Sequence, residues 1–323
     1  MKLKLFPILL SIYFCFSIRA SETKLAIKNI VVFGDSLSDN GNYFNASKST
    51  IKPMPLPPYV DGRATNGAVW VEYLAQAIGA KLEDYAYLGA LTSGKNPRYP
   101  EAIELTEQID NYLKKNKDKN LNSDNTLYVV WAGANNIFTM DFKKPLQTSK
   151  SLWNISGDII KGVEKLKDKG ARYIMVANLP DLGRIALTKD VESYKNMKWV
   201  LSTIVRIENL FIGRRVHHFN GAHKDDNIKV VLFDAKSMLI NIEKNPTQFF
   251  VKNTENSCYV GVPSNTPNPN VACDTPKDHL FWDLVHPSTK IHCFAAYEIQ
   301  KNLAEHDILN PPNKIQLDKC AQL

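Results

Sequence analysis

Short, mostly apolar runs alternate with longer amphipathic stretches along almost the whole chain. The runs fall at residues 29–33, 82–86, 126–131, 172–177 and 228–233, and each is only five or six residues long. Between and after them, 68–78, 101–115, 150–169, a long segment within 191–223, and 288–306 carry apolar residues at helical spacing. Runs this short and rich in branched side chains predict buried strands. Their alternation with helices predicts an α/β fold in which a parallel sheet is covered on both faces. Thr65 or Asn66 is placed to cap the first helix, and Gly170 to end the third. Two segments break the rhythm: 42–67 carries Pro53, Pro55, Pro57 and Pro58, and 252–279 is rich in Pro and Asn. Both predict loops, and loops leaving the edge of such a sheet commonly shape its site.

The first twenty residues stand apart from this pattern. Lys2 and Lys4 precede an apolar stretch from Leu5 to Ile18, and Ala20 suits the position before a cleavage. Residues 1–20 are therefore expected to be a secretory signal peptide, leaving 21–323 as one domain. The apolar stretch is short for a membrane span and no second one follows, so the mature chain is expected to be exported, periplasmic or secreted, with no integral membrane segment. Removing Lys2, Lys4 and Arg19 lowers the formal net charge from +7 to +4. That mild positive charge suits approach to an anionic membrane or micelle surface and is too small to argue for nucleic acid. Cys15 leaves with the leader, and Cys258, Cys273, Cys293 and Cys320 remain. An even number in an exported chain favours disulfides, with three possible connectivities. Cys258–Cys273, closing a turn-rich loop, and Cys293–Cys320 are the favoured pairs. His217, His218 and His223 lack the helical spacing of a metal motif and read as a solvated helix end, so neither metal nor cofactor is expected.

Candidate chemistry gathers near the two ends. Gly34-Asp35-Ser36-Leu37-Ser38-Asp39 closes the first apolar run. A serine on the turn leaving a strand reaches the C-terminal edge of the sheet, where open α/β sheets hold their ligands. Far downstream stands Asp283-Leu284-Val285-His286-Pro287, a carboxylate and an imidazole three residues apart. Ser36 as nucleophile, His286 as base and Asp283 as the group orienting that base are the parts of a serine hydrolase. Each motif alone is ordinary turn or surface chemistry. Asp39 and Asn40 read equally as supports of the Ser36 turn or as a helix cap, and Trp282 as packing beneath the Asp283 loop.

The blocks between these ends, in their order, resemble the GDSL (SGNH) family of esterases and lipases over nearly the whole chain after residue 20. The resemblance implies a single-domain, three-layer α/β/α hydrolase fold of flavodoxin-like order 2-1-3-4-5, which the hydropathy pattern alone leaves open. Ala86-Tyr87-Leu88-Gly89-Ala90 resembles the second block and implies that the Gly89 N–H is an oxyanion donor. Val130-Trp131-Ala132-Gly133-Ala134-Asn135-Asn136 resembles the third and gives the Asn135 amide the same role, beside the N–H of Ser36. Leu88 stands where glycine is frequent, and Asn136 where aspartate is usual. The segments 62–74 and 178–183 are similar to the family's structural blocks. In organisation the chain is most similar to the exported bacterial phospholipase A, lysophospholipase and glycerophospholipid–cholesterol acyltransferase branch. A lipid ester substrate is the expectation, with acyl transfer to an alcohol as a side activity. The loops 53–60 and 249–262 are expected to flank an acyl chain, and the 258–273 loop to lie over the site. A carbohydrate O-acetyl esterase and an inert binding module on the same scaffold are the alternatives.

Overall fold

The computed structural model describes residues 27–121, 124–264 and 272–323. The expected signal peptide lies outside the described residues, as does the tip of the 258–273 loop. The five apolar runs form β1 (Asn29–Gly34), β2 (Lys81–Asp84), β3 (Thr126–Trp131), β4 (Tyr173–Ala177) and β5 (Lys229–Phe233). They pair in the order β2-β1-β3-β4-β5, every pair parallel. This is the order implied by the family resemblance.

Side-chain alternation along the strands divides the interior in two. Val31 and Phe33 of β1 and Tyr128 and Val130 of β3 face one core, with the helices Leu105–Lys115, Pro145–Asp168 and Lys198–Ala222. Ile30, Val32, Val129 and Trp131 face the other, against the helices Trp70–Ile78 and Thr289–Glu305. Because successive residues point to opposite faces and both faces are buried, the strands need continuous apolar sequence. The result is three layers, α/β/α. Among the described residues no helix is long and apolar enough to cross a membrane.

Both favoured disulfides are present. Cys258–Cys273 closes the loop ahead of Asp283, and Cys293–Cys320 fastens the last helix, Lys314–Gln322, to Thr289–Glu305. Some local expectations need correction. Thr65 and Asn66 do not cap the helix that starts at Trp70. The Glu72 carboxylate accepts the Val69 N–H there, while Thr65 donates to the Pro287 carbonyl at 2.9 Å and Asn66 accepts the Thr289 N–H at 2.8 Å. The same short polar side chains that cap helices here tie the N-terminal loop to the segment just after His286. The 252–279 segment is not wholly loop, since β6 (Asn253–Ser257) pairs in parallel with β7 (His279–Phe281).

Candidate active site

Ser36 stands two residues beyond β1, on a turn made possible by Gly34. A side chain at Gly34 would stand 2.4 Å from the Trp131 carbonyl of the neighbouring strand. The buried amide of Gln108 completes the strand end where β2 has stopped. Its Oε1 accepts the Gly34 N–H at 2.8 Å and its Nε2 donates to the Gly34 carbonyl at 2.9 Å. Behind the turn the Asp39 carboxylate accepts four backbone N–H groups, those of Gly41, Asn42, Tyr43 and Leu88. It is therefore both a helix cap and a clasp between the Ser36 turn and the loop carrying Gly89.

Asp283 and His286 share one tight turn. The Asp283 carboxylate, fully buried, accepts the Val285 N–H at 2.7 Å and lies 2.8 and 3.0 Å from His286 Nδ1. A carboxylate only accepts, so Nδ1 carries the ring proton and Nε2 is left to accept the Ser36 hydroxyl, 2.8 Å away. Phe281 and Pro287 bridge across the base of the turn, and the Trp282 N–H donates to the His286 carbonyl at 2.9 Å. This arrangement can move a hydroxyl proton to an imidazole already aligned to receive it.

The structure also brings Gly89 and Asn135 to this region. Gly89 has φ +78, and a Cβ there would meet the Tyr99 ring at 2.2 Å, so only glycine fits. Neither the Ser36 N–H nor the Gly89 N–H meets an acceptor among the described residues. Asn135 donates one amide hydrogen to the Ala90 carbonyl at 3.1 Å, leaving its second. The two departures from the family pattern are absorbed locally. Leu88 packs into a buried cluster with Tyr43 and Met54. Asn136 uses both ends of its amide on Thr92, accepting its N–H at 3.0 Å and donating to its hydroxyl at 3.1 Å.

Sequence reading missed one direct partner. Tyr59, buried on the proline-rich loop, donates its hydroxyl to Asp283 Oδ2 at 2.7 Å. It packs edge-on against Tyr259 and Trp282, beside the Cys258–Cys273 bridge. Trp282 is therefore packing, as expected. Gln108 did carry a signal, a polar residue within the buried stripe of Leu105, Ile109 and Tyr112. His217 and His218 are exposed, and the His223 ring meets Asp226 at 2.6 Å. Cys258, Cys273 and His279 gather their ligand atoms within 4.8 Å, but the two sulfurs are bonded to each other.

A narrow cavity of about 70 Å³ runs inward from Ser36 and His286 between Trp131, Leu182, Ile185, Met238, Leu239 and Ile291. Besides His286, its ionisable lining residues are Asp35 and His292. Burial pushes the Asp35 carboxyl up to about 6 against the opposing Leu37 N–H and His286. Burial, with His286 nearby, pushes His292 down to about 3, so its ring is neutral. Away from Ser36, His286 and these two groups the lining is mostly apolar.

Residues 30–299 match the model of the GDSL-like Lipase/Acylhydrolase family. The chain is similar to the thermolabile hemolysin of Vibrio parahaemolyticus, 28% identical over 292 residues covering 87% of this chain and 65% of that protein. It therefore spans less than two thirds of the hemolysin's own length. It is similar to a phosphatidylcholine-sterol acyltransferase of Aeromonas hydrophila, 24% identical over 323 residues covering 85% of this chain and 90% of that one. An acetylesterase of Hypocrea jecorina is 24% identical over 321 residues, covering 84% of this chain and 87% of its own. Matched along most of its length, with the five-stranded parallel sheet already described, the chain belongs to the GDSL-like lipase/acylhydrolase family and is a carboxylic ester hydrolase.

Proposed function

We propose that the chain is an exported phospholipase A or lysophospholipase acting through an acyl-enzyme on Ser36. The narrow cavity at Ser36 carries the lipid half of this reading, since its lining is mostly apolar, with Leu182, Ile185, Met238, Leu239 and Ile291 suited to a methylene chain rather than to the hydroxyls of a sugar. Ser36 Oγ attacks the ester carbonyl as His286 Nε2 takes the hydroxyl proton, and Asp283 stabilises the resulting imidazolium. The oxyanion accepts from the N–H groups of Ser36 and Gly89 and from the Asn135 amide. His286 then returns the proton to the departing alcohol. Water, activated by the same imidazole, releases the fatty acid and restores Ser36. An alcohol in the place of water would yield a new ester, which is the acyl-transfer side activity. The leader at 1–20 and the two disulfides support export, because such bonds persist in oxidising compartments. The mild positive charge supports action at an anionic lipid surface.

The test is fatty-acid release from lysophospholipid, diacyl phospholipid and a short acetyl ester by wild type and Ser36→Ala. Wild type is expected to release acid from the lipids, and Ser36→Ala to lose about 10⁴-fold or more in kcat. Cleavage of the acetyl ester alone would replace the lipid reading with an acetyl esterase. Turnover that survives Ser36→Ala would remove the whole assignment.

A further inference from the structure

Two cavities meet at Ser36, and they differ in charge. Beside the apolar one lies an open cleft of about 350 Å³ that shares Ser36, Asn135, Phe138, Val285 and His286 with it. Its own lining includes Leu88, Asn96, Tyr99, Tyr194 and Val262, with no aspartate or glutamate among the described residues. Among the described residues that line it, Arg98 is the only lysine or arginine. Arg63, Arg172 and Arg184 are each tied to a carboxylate. Among the described residues Arg98 has no such partner.

The position of Arg98 is set by the loop that carries Gly89. Buried Asn96 donates to the Gly89 carbonyl at 2.7 Å and accepts the Arg98 N–H at 3.1 Å. Tyr99, the next residue, packs directly against Gly89. A group bound at Arg98 is thereby held in register with Gly89. Beyond Arg98 the surface continues into a hollow that Arg98 and Ser264 also line, with Lys52 and Glu101.

We infer that Arg98 binds a phosphate on the alcohol arm of the ester while the apolar cavity holds the acyl chain. The site then selects phosphate-bearing esters over neutral ones of equal chain length. A guanidinium presents paired donors that match two phosphate oxygens, and a cleft without carboxylates leaves that charge uncompensated until substrate arrives. The phosphate lies outside the bond being broken, so its binding is uniform and appears in KM. This inference rests on the lipid-ester reading above.

The experiment compares decanoyl lysophosphatidylglycerol with monodecanoylglycerol as substrates for wild type, Arg98→Gln and Arg98→Lys. Arg98→Gln is expected to lose about tenfold in kcat/KM on the phospholipid, through KM, with the neutral ester unchanged. Arg98→Lys should recover part of that loss. Equal losses on both substrates, or no loss on either, would overturn the inference while leaving the lipid reading intact. Wild type that cleaves the neutral lipid but not the phospholipid would overturn both the inference and the phospholipase reading, leaving a neutral-lipid esterase. If wild type cleaves only an acetyl ester, the lipid reading itself fails and takes this inference with it. Inorganic phosphate is added to the neutral-ester assay as a competitor. Little inhibition is expected, since the free anion has no acyl arm, and saturation at micromolar phosphate that requires Arg98 would make the free anion the ligand instead.

Discussion

The Tyr59 hydroxyl donates to the same oxygen of Asp283 that lies 2.8 Å from His286 Nδ1. Burial, followed by the nearby Asp283 charge, drives the phenol far above its ordinary range, so it stays a donor. The carboxylate is thus held from one side by the turn's backbone and from the other by Tyr59, which fixes the plane of the imidazole. Tyr59→Phe keeps the aromatic packing and removes that hydroxyl. Its expected effect is a fall of about tenfold in kcat with KM unchanged, measured on any ester that wild type turns over. Equal kcat for the two proteins would show that the backbone alone holds Asp283. Ser36, Asp283 and His286 were legible because each sits in a contiguous motif whose chemistry is local. Tyr59 was not, because its partner lies 224 residues away and nothing beside it marks its target.

Four of the five strands could be read because burial on both faces demands the continuous apolar sequence that β1, β3, β4 and β5 display. β2 is only Lys81–Asp84, and pairing with β1 supplies what its polar sequence lacks. β6 was hidden for the same reason: Asn253–Ser257 has no apolar pattern and exists because β7 accepts it. Thr65 and Asn66 show tertiary partners outcompeting a local cap. The 178–183 block, read as scaffold, proves double-sided, because Pro180 and Leu182 also line the apolar cavity. The helix Ala235–Lys244 closes that cavity's wall. Asp234 caps it by accepting the Ser237 N–H at 3.0 Å, which aims Met238 inward. Met238→Trp should obstruct the cavity and lower kcat/KM on a palmitoyl ester by about tenfold while sparing an acetyl ester. An unchanged ratio of the two substrates would place the acyl chain elsewhere.

Several acids are buried where desolvation outweighs their hydrogen bonds and the pull of nearby positive groups, and together they tilt the stability of the molecule toward low pH. Burial raises Asp35 and Asp39 to about 6, Glu208 to about 7 and Asp84 well above its usual range. For each, the folded state holds its proton more tightly than the unfolded one. Their contribution to stability is therefore complete below the unfolded values and is lost as pH rises through the folded ones. Glu208 isolates the effect. It lies between the helices Pro145–Asp168 and Lys198–Ala222, where Oε1 accepts the Ser156 N–H at 3.0 Å and Oε2 has no partner among the described residues. Glu208→Gln should gain on the order of 2 to 3 kcal/mol at pH 8 and almost nothing at pH 4.5, read from denaturant unfolding at the two pH values. A gain of the same size at both would mean that packing, not charge, is responsible. The bond between Ser36 and His286 joins residues 250 positions apart, and this separation orders events in time. Residues emerge from synthesis at roughly 5 to 20 per second, amino terminus first. For most of that interval the growing polypeptide carries the proposed nucleophile without its proposed base. On the proposed mechanism, a chain cut short anywhere before His286 is a serine scaffold with no means of attack, and hydrolytic power arrives only as the segment carrying His286 docks.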